Sequence, residues 1–301
     1  MGVGAFLSLS EGAPFFIDNL LAGGFAGVDQ TFGGQLDGSD LLQGPIDVAV
    51  DDNNNIFVLD DSRKMVAHFD PDGELVSSWR VGGTDTNLSA LVADKGNGLF
   101  VIVDGDLSKY EASSGTLLGT TEIPEIFGVG DVCVLPDGSL LGYVNGDVDS
   151  LVHFNASGAE IGRREKPISG VTSDSPPVTW QGKLASDKDG RVYLLSTASF
   201  NPSVFIYDSD LNFKMRFDPG ATSDDEVPTP SPSAIAVDSK GRIYVGGWDG
   251  VQVFDRNGKN IGIIRLPFSS PPSGLAFNSK DELYVVSRNE KKVYKFVLNE
   301  P

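Results

Sequence analysis

Two carboxylates and one ammonium group occupy equivalent places in a repeated sequence pattern, where together they could bind a ligand or hold ordered water. They are Asp47, Asp131 and Lys183. Each lies four residues before an anchor, the position at which an apolar stretch ends and a polar turn begins. If this position faces a central channel, the three charges meet across it and bind a ligand, hold ordered water or stabilise the fold. The other three repeats carry small residues here: Ala90, Ala234 and Gly274.

The sequence lacks the residue patterns of nucleophilic or zinc-dependent catalysis. Its two histidines, His68 and His153, and its single cysteine, Cys133, are too few for a zinc site with three or four nitrogen and sulfur ligands. No serine or cysteine nucleophile with a neighbouring histidine stands out. Cys133 occupies a place that is alanine in other repeats, which predicts a buried and inert thiol. No cofactor is therefore predicted.

A second set of candidate residues lies in connections and hairpin loops that we expect on one face of the molecule. Three connections, residues 22–44, 167–181 and 218–231, are long, and extra loop length on one face predicts a shaped surface. Aromatic and charged side chains together suit recognition of a small polar ligand or a protein loop. The candidates are Asp61, Arg63, Asp104, Trp180, Trp248, Asp249 and Arg288.

Six tandem repeats must position all of these residues. Their anchors lie roughly 40 to 52 residues apart, which is the length of a propeller blade. Between each anchor and the aliphatic residue five positions later, Asp, Asn and Gly predict a tight β-hairpin turn. A recurring aromatic residue marks a third strand, and a further turn in five repeats predicts a fourth. The anchors are Asp51, Asp94, Leu135, Asp187, Asp238 and Asn278.

The repeats predict an all-β fold, a single six-bladed β-propeller domain of four-stranded antiparallel blades over residues 1–301. The sixth repeat ends after its third strand, and an unpaired sheet edge would invite aggregation. The apolar segment 14–21 is predicted to supply the missing strand and to close the ring. The repeats span approximately residues 44–82, 88–124, 130–167, 182–218, 232–266 and 272–298.

The stretches GPIDVAVDDNNNIFVLDD and PSAIAVDSKGRIYVGGWDGVQVFDRNGKNIG resemble NHL repeats. The consensus of that family runs Pro-x-Gly-Ile-Ala-Val-Asp, a turn, and Ile-Tyr-Val-Ala-Asp. The resemblance covers nearly the whole chain, although the second repeat lacks the leading proline and the third has Leu135 in place of the anchor aspartate. It implies a propeller fold and says little about function, because function depends on sites rather than on the fold.

Composition restricts the partners and the location of the protein. The formal charge of −19 disfavours nucleic acid and anionic membranes, which bind through cationic side chains. No membrane insertion is expected, because the first residues form too short an apolar run. We expect a soluble monomer. The sequence leaves the compartment unknown, with export to the periplasm or the exterior favoured slightly over the cytoplasm.

Three hypotheses about function follow. The first is a binding or interaction module that takes a small polar ligand or a protein partner at the mouth of the channel. The alternative is a divalent-metal-dependent hydrolase or lactonase resembling the gluconolactonase-like propellers, in which carboxylate oxygens favour calcium or magnesium. The third is a scaffold that presents its rim to other proteins. In the metal hypothesis, the candidate ligands are Asp47, Asp61, Asp104 and Asp131.

Overall fold

The computed structural model describes residues 25–33, 35–36, 39–125, 127–146, 148–168, 182–197, 202–219 and 231–299. These residues form six four-stranded antiparallel sheets and one small two-stranded sheet, with no helix among them. The innermost strands of successive sheets contact one another in cyclic order, and the last returns to the first. The all-β six-bladed propeller predicted from the sequence is therefore confirmed. Over these ranges, no helix capable of crossing a membrane is found.

Three strands precede the first blade: β1 (Ala26–Phe32), β2 (Gln35–Leu36) and β3 (Ser39–Asp40), of which β2 and β3 form the two-stranded sheet. The first blade contains β4 (Pro45–Val50), β5 (Ile56–Asp60), β6 (Met65–Phe69) and β7 (Leu75–Arg80). The second contains β8 (Leu88–Ala93), β9 (Gly98–Val103), β10 (Asp106–Glu111) and β11 (Leu117–Thr121). The third contains β12 (Val129–Val134), β13 (Leu140–Val144), β14 (Ser150–Phe154) and β15 (Glu160–Glu165).

The remaining blades repeat this order, with the innermost strand first. The fourth contains β16 (Gly182–Ser186), β17 (Val192–Ser196), β18 (Ser203–Tyr207) and β19 (Phe213–Phe217). The fifth contains β20 (Ala234–Val237), β21 (Ile243–Gly247), β22 (Gly250–Phe254) and β23 (Asn260–Ile264). The sixth takes only β24 (Gly274–Phe277), β25 (Leu283–Ser287) and β26 (Lys292–Leu298) from the end of the chain.

An N-terminal strand closes the ring, as predicted, but it lies further along the chain than the sequence indicated. The fourth strand of the last blade is β1, which pairs with β26 from Ala26 opposite Leu298 to Phe32 opposite Val293. The predicted segment 14–21 lies outside the described residues. Burial in β1 alternates from Val28 to Phe32, as expected of an outer strand that is covered on one face, whereas the segment 14–21 is mostly apolar.

The hairpin turns explain much of the acidic composition. Asp187 Oδ1 accepts hydrogen bonds from the backbone N–H groups of Asp189 and Arg191, both at 2.9 Å. Tyr193 Oη donates to the second oxygen of the same carboxylate at 2.9 Å. Aspartate is favoured in such turns because its short side chain satisfies backbone donors two and four residues ahead. In the third blade, where Leu135 replaces the anchor, Asp137 provides the equivalent acceptor for the N–H of Ser139.

Side chains of the inner strands alternate between the two neighbouring blades. Val48 packs towards the sixth blade against Tyr284, whereas Ala49 packs towards the second blade against Leu91. The residues two positions before each anchor therefore pack between blades, because successive strand residues point to opposite faces, and they also line the central channel. Cys133 belongs to this set, is buried, and has its pKa raised to about 12 by burial, so the thiol is not reactive at neutral pH.

The closing strand depends on one aromatic side chain, so we predict that Phe32→Ala destabilises the ring. Phe32 is 8% exposed and packs against Phe69 and Tyr284, with ring centroids 5.0 and 6.3 Å away. Truncating a buried phenylalanine should cost about 3 kcal/mol in the free energy of unfolding. Urea denaturation measures the loss. Thr31→Ala, at an exposed position of the same strand, is the control. Equal stability of the two variants would contradict this account of closure.

Candidate functional site

The central channel contains a cavity of about 260 Å³. The inner strands β4, β8, β12, β16, β20 and β24 form its walls, together with Ser273, which directly precedes β24. Most of the lining side chains are small or aliphatic. Asp47, Asp131 and Lys183 are the charged side chains among them.

These three side chains come from three different blades and meet in one layer of the cavity. Lys183 Nζ lies 3.4 Å from Asp131 Oδ1. Asp47 interacts electrostatically with both Lys183 and Asp131. The alignment on the anchors assigned them to one layer of the channel, and the structure places them there. Ligand binding by them stays a prediction.

Both carboxylates also connect neighbouring blades. Asp47 Oδ2 accepts a hydrogen bond from the backbone N–H of Leu91 in the second blade at 3.0 Å. Asp131 Oδ2 accepts one from the N–H of Leu184 in the fourth blade at 2.6 Å. Gly274 is required beside Asp47, because a Cβ atom there would lie 2.8 Å from both Cα and Oδ1 of Asp47. The local packing therefore fixes the position of the carboxylate of Asp47.

Burial changes the protonation of this group of residues. Burial raises the pKa of Asp47 to about 7, against the lowering effect of Lys183, and the nearby charge of Asp131 raises it further. Burial likewise raises the pKa of Asp131, although Lys183 and the N–H of Leu184 favour its charged form. Burial alone would lower the pKa of Lys183, but the carboxylates of Asp131 and Asp47 raise it above its ordinary value. Asp47 can thus exchange a proton near neutral pH while Lys183 stays charged.

The loop candidates lie outside the cavity. Asp61, Arg63 and Arg288 are near the junction of the first and sixth blades, where Asp61 pairs with Lys64 at 2.6 Å and with Arg288 at 3.7 Å. Arg63 donates a hydrogen bond to the backbone carbonyl of Asp40. These contacts connect loops and the small hairpin, which gives the three residues a structural role. None of the three lines the cavity.

The other loop candidates are spread around the ring. Asp104 is exposed and accepts a hydrogen bond from the N–H of Asn87 at 2.7 Å. Trp248 is 53% exposed, and the backbone carbonyl of Asp249 accepts from Arg265 at 3.3 Å. None of these three lines the cavity. Trp180 lies outside the described residues.

The predicted long connections are described only in part. The connection over residues 22–44 contains β1 and the small hairpin, so much of it is regular structure rather than a loop. Most of the connections over 167–181 and 218–231 lies outside the described residues. A binding surface built by these inserts stays a prediction.

Two hydroxyl groups of the cavity were not found from the sequence. Ser186 Oγ donates to the carbonyl of Val134 at 2.5 Å, and Ser273 Oγ donates to the carbonyl of Pro45 at 3.0 Å. Both residues line the cavity and connect adjacent blades. A serine at the end of an inner strand, or just before one, is the sequence signal that these residues provide.

Part of the chain is similar to a known propeller family. A family model matches residues 178–289 of the 301-residue chain. It is the SMP-30/gluconolactonase/LRE-like region. The match covers the strands of the fourth and fifth blades, including Lys183, and the first two strands of the sixth. No curated protein sequence matches the chain. The recognised similarity is therefore to this propeller family, and the NHL resemblance stays a prediction.

Solved structures share the fold at low sequence identity. A gluconolactonase from Xanthomonas campestris has a TM-score of 0.63 and 17% identity, and the alignment covers 95% of each chain. A luciferin-regenerating enzyme has a TM-score of 0.64 and 16% identity over 85% of this chain and 92% of its own. A streptogramin B lyase has a TM-score of 0.61 and 13% identity over 85% and 94%, respectively. Identities this low show the common fold alone.

The charged layer does not fit a divalent cation. In the described part of the chain, no three His, Cys, Asp or Glu side chains are close enough to share a metal ion. The ammonium of Lys183 lies beside Asp131, where it would repel a cation, and the carboxylates already accept backbone hydrogen bonds. Of the ligand set predicted for calcium or magnesium, Asp61 and Asp104 lie outside the cavity.

The raised pKa of Asp47 predicts how the stability of the protein depends on pH. Asp47 has an ordinary pKa of 3.8 and a pKa of about 7 in the folded protein, so the folded state binds more protons between these values. Stability therefore falls as pH rises from about 4 to 7. Asp47→Asn should remove this contribution, so the loss of unfolding free energy between pH 4 and pH 8 should shrink by about 4 kcal/mol. Urea denaturation at both pH values measures it.

The exposed carboxylate of Asp52, in a turn of the same blade, provides a matched control for this measurement. Asp52→Asn should leave the pH dependence as in the native protein. An unchanged difference between pH 4 and pH 8 in Asp47→Asn would show that Asp47 ionises normally.

Proposed function

We propose that this protein hydrolyses a small cyclic ester of the lactone type in its central channel, with Asp47 as general base and Lys183 as the stabiliser of negative charge. The observation that carries the proposal is a carboxyl group with a pKa of about 7 beside an ammonium group in the same cavity. The similarity to the SMP-30/gluconolactonase/LRE-like region supports this reaction class. The proposal keeps the hydrolase hypothesis of the sequence and removes its metal ion.

Asp47 has the properties that a general base requires at neutral pH. A base is most effective when its pKa lies near the working pH. Its two oxygens accept the N–H groups of Val48 and Leu91 at 2.9 and 3.0 Å, and each oxygen keeps a second lone pair. A water held there can lose its proton to Asp47 while its oxygen attacks the carbonyl carbon of the ester.

Lys183 would act on the oxygen of the same carbonyl. Attack forms a tetrahedral intermediate whose negative oxygen is stabilised by a nearby fixed cation. Asp131 orients this ammonium through the 3.4 Å contact. When the intermediate collapses, the ring C–O bond breaks and protonated Asp47 returns its proton to the leaving oxygen. The reaction consumes one water and yields a hydroxy acid.

A binding module without catalysis remains the second candidate function. The hydrogen bonds from Leu91 to Asp47 and from Leu184 to Asp131 favour it, because they give both carboxylates a role in joining blades. Against it, an ionisable group with a raised pKa reduces stability at neutral pH, whereas a neutral amide would join the same blades without that cost.

Lactone hydrolysis tests the proposal directly. Five- and six-membered hydroxylated lactones should open faster with the protein than without it, as followed by acid release in weakly buffered solution at pH 6 to 8. The rate constant should rise with pH and level off above about 7, as Asp47 loses its proton. Asp47→Asn and Lys183→Met should each lower kcat at least about 100-fold. Chelators should have no effect.

Matched controls are available in the same blades. Asp52→Asn and Lys188→Met replace exposed groups of the same chemistry in the first and fourth blades and should keep the native rate. Loss of activity with a chelator, restored by calcium or magnesium, would contradict the mechanism. Absence of turnover for every lactone would leave the binding module as the function.

A further inference from the structure

The charges around the cavity are unequal in number, and this affects which ligands can stay there. Two carboxylates face one ammonium, whereas β8, β20 and β24 contribute only uncharged residues to the lining. The polar side chains Ser186 and Ser273 add no charge. With Asp47 protonated the layer is neutral, and with Asp47 ionised it carries one negative charge.

Weak screening inside the cavity and the net charge of the chain both strengthen the effect of this excess negative charge on a ligand. A cavity inside a protein screens charges less than bulk water does, so an added charge is felt more strongly inside it. The chain as a whole has a formal charge of −19, which gives a negative potential outside the cavity as well. An anionic ligand must therefore enter against both fields, while an uncharged ring compound is subject to neither.

We propose that the channel selects uncharged ring compounds and excludes carboxylates, and that Asp131 is the residue that determines this selectivity. The inference rests on the proposed function and extends it to the substrate class and to the release of product. Hydrolysis converts an uncharged lactone into a hydroxy acid that ionises to a carboxylate. The product then faces Asp131 and Asp47 in the cavity and is expelled, so the enzyme avoids inhibition by its own product.

Asp131 is the suitable residue to change, because its carboxylate can lose its charge without loss of its structural contact. The oxygen that accepts the N–H of Leu184 at 2.6 Å is retained in asparagine. Asp131→Asn replaces the carboxylate oxygen that faces Lys183 with an amide nitrogen and makes the layer one unit more positive. The affinity for a neutral ligand should change little. The affinity for a carboxylate should rise, because the charge of Lys183 is now only partly compensated.

Binding measurements test the selectivity without any need for turnover. The probes are a hydroxylated six-membered lactam, which has the shape of a lactone but resists hydrolysis, and the matching open-chain hydroxy acid. By calorimetry at pH 8, the native protein should bind the lactam at least 10-fold more tightly than the acid. At pH 6, where Asp47 is mostly protonated, the acid should bind at least about 5-fold more tightly than at pH 8.

Asp131→Asn should raise the affinity for the acid at least 10-fold at pH 8 and change the affinity for the lactam less than 3-fold. Asp52→Asn should change neither. An acid that binds native protein as tightly as the lactam, an unchanged preference in Asp131→Asn, or binding of neither probe would overturn the inference. Selective lactam binding in a protein that opens no lactone would uphold the inference and refute the proposed hydrolysis.

Discussion

Each inner strand of the propeller has a hydrogen-bonded neighbour on one side only, and the structure of the channel depends on this constraint. The backbone groups of the other edge face the channel, where buried donors need acceptors. Asp47 and Asp131 supply acceptors to the inner strand of the next blade, and Ser273 donates to the carbonyl of Pro45. Contacts between side chains and backbone thus join blades that share no sheet.

The same constraint explains why charged groups can exist at the centre of the molecule. A carboxylate that accepts two backbone N–H groups is partly compensated for the loss of water, and Lys183 compensates Asp131 further. The compensation of Asp47 is incomplete, which is why its pKa is raised to about 7. Asp47 therefore has a structural and a chemical property at once: it joins two blades, and its pKa of about 7 lets it exchange a proton near neutral pH.

The fold could be predicted from the sequence because the residues that determine its turns are close together in the chain and recur in each repeat. Asp187 and Asp238 each hold their turns through neighbouring N–H groups and a tyrosine six residues later, so the spacing alone reports the hairpin. The closing strand could not be located in this way, because β1 has no turn motif of its own and pairs with residues at the far end of the chain.

The candidate site was predictable to the extent that strand alternation determines it. Counting back from the anchors found Asp47, Asp131 and Lys183, since the inner strands have the same register. Their pKa shifts depend on how closely six blades approach one another, and no spacing in the sequence contains that information. Asp61 pairs with Arg288 and Arg63 with the backbone of Asp40, and these contacts depend on loop conformation rather than on repeat position.

The pairing of β1 with β26, which closes the ring, also has a mechanical consequence. Because β1 and β26 are antiparallel, Ala26 lies opposite Leu298, and the N–H of Asn299 donates to the carbonyl of Phe25 just beyond this end of the pair. A pulling force applied to the chain at these two points would load the backbone hydrogen bonds one after another, as in a zipper, rather than all at once in shear. The propeller is therefore weakest, under tension between Phe25 and Asn299, at the seam where its ring is closed.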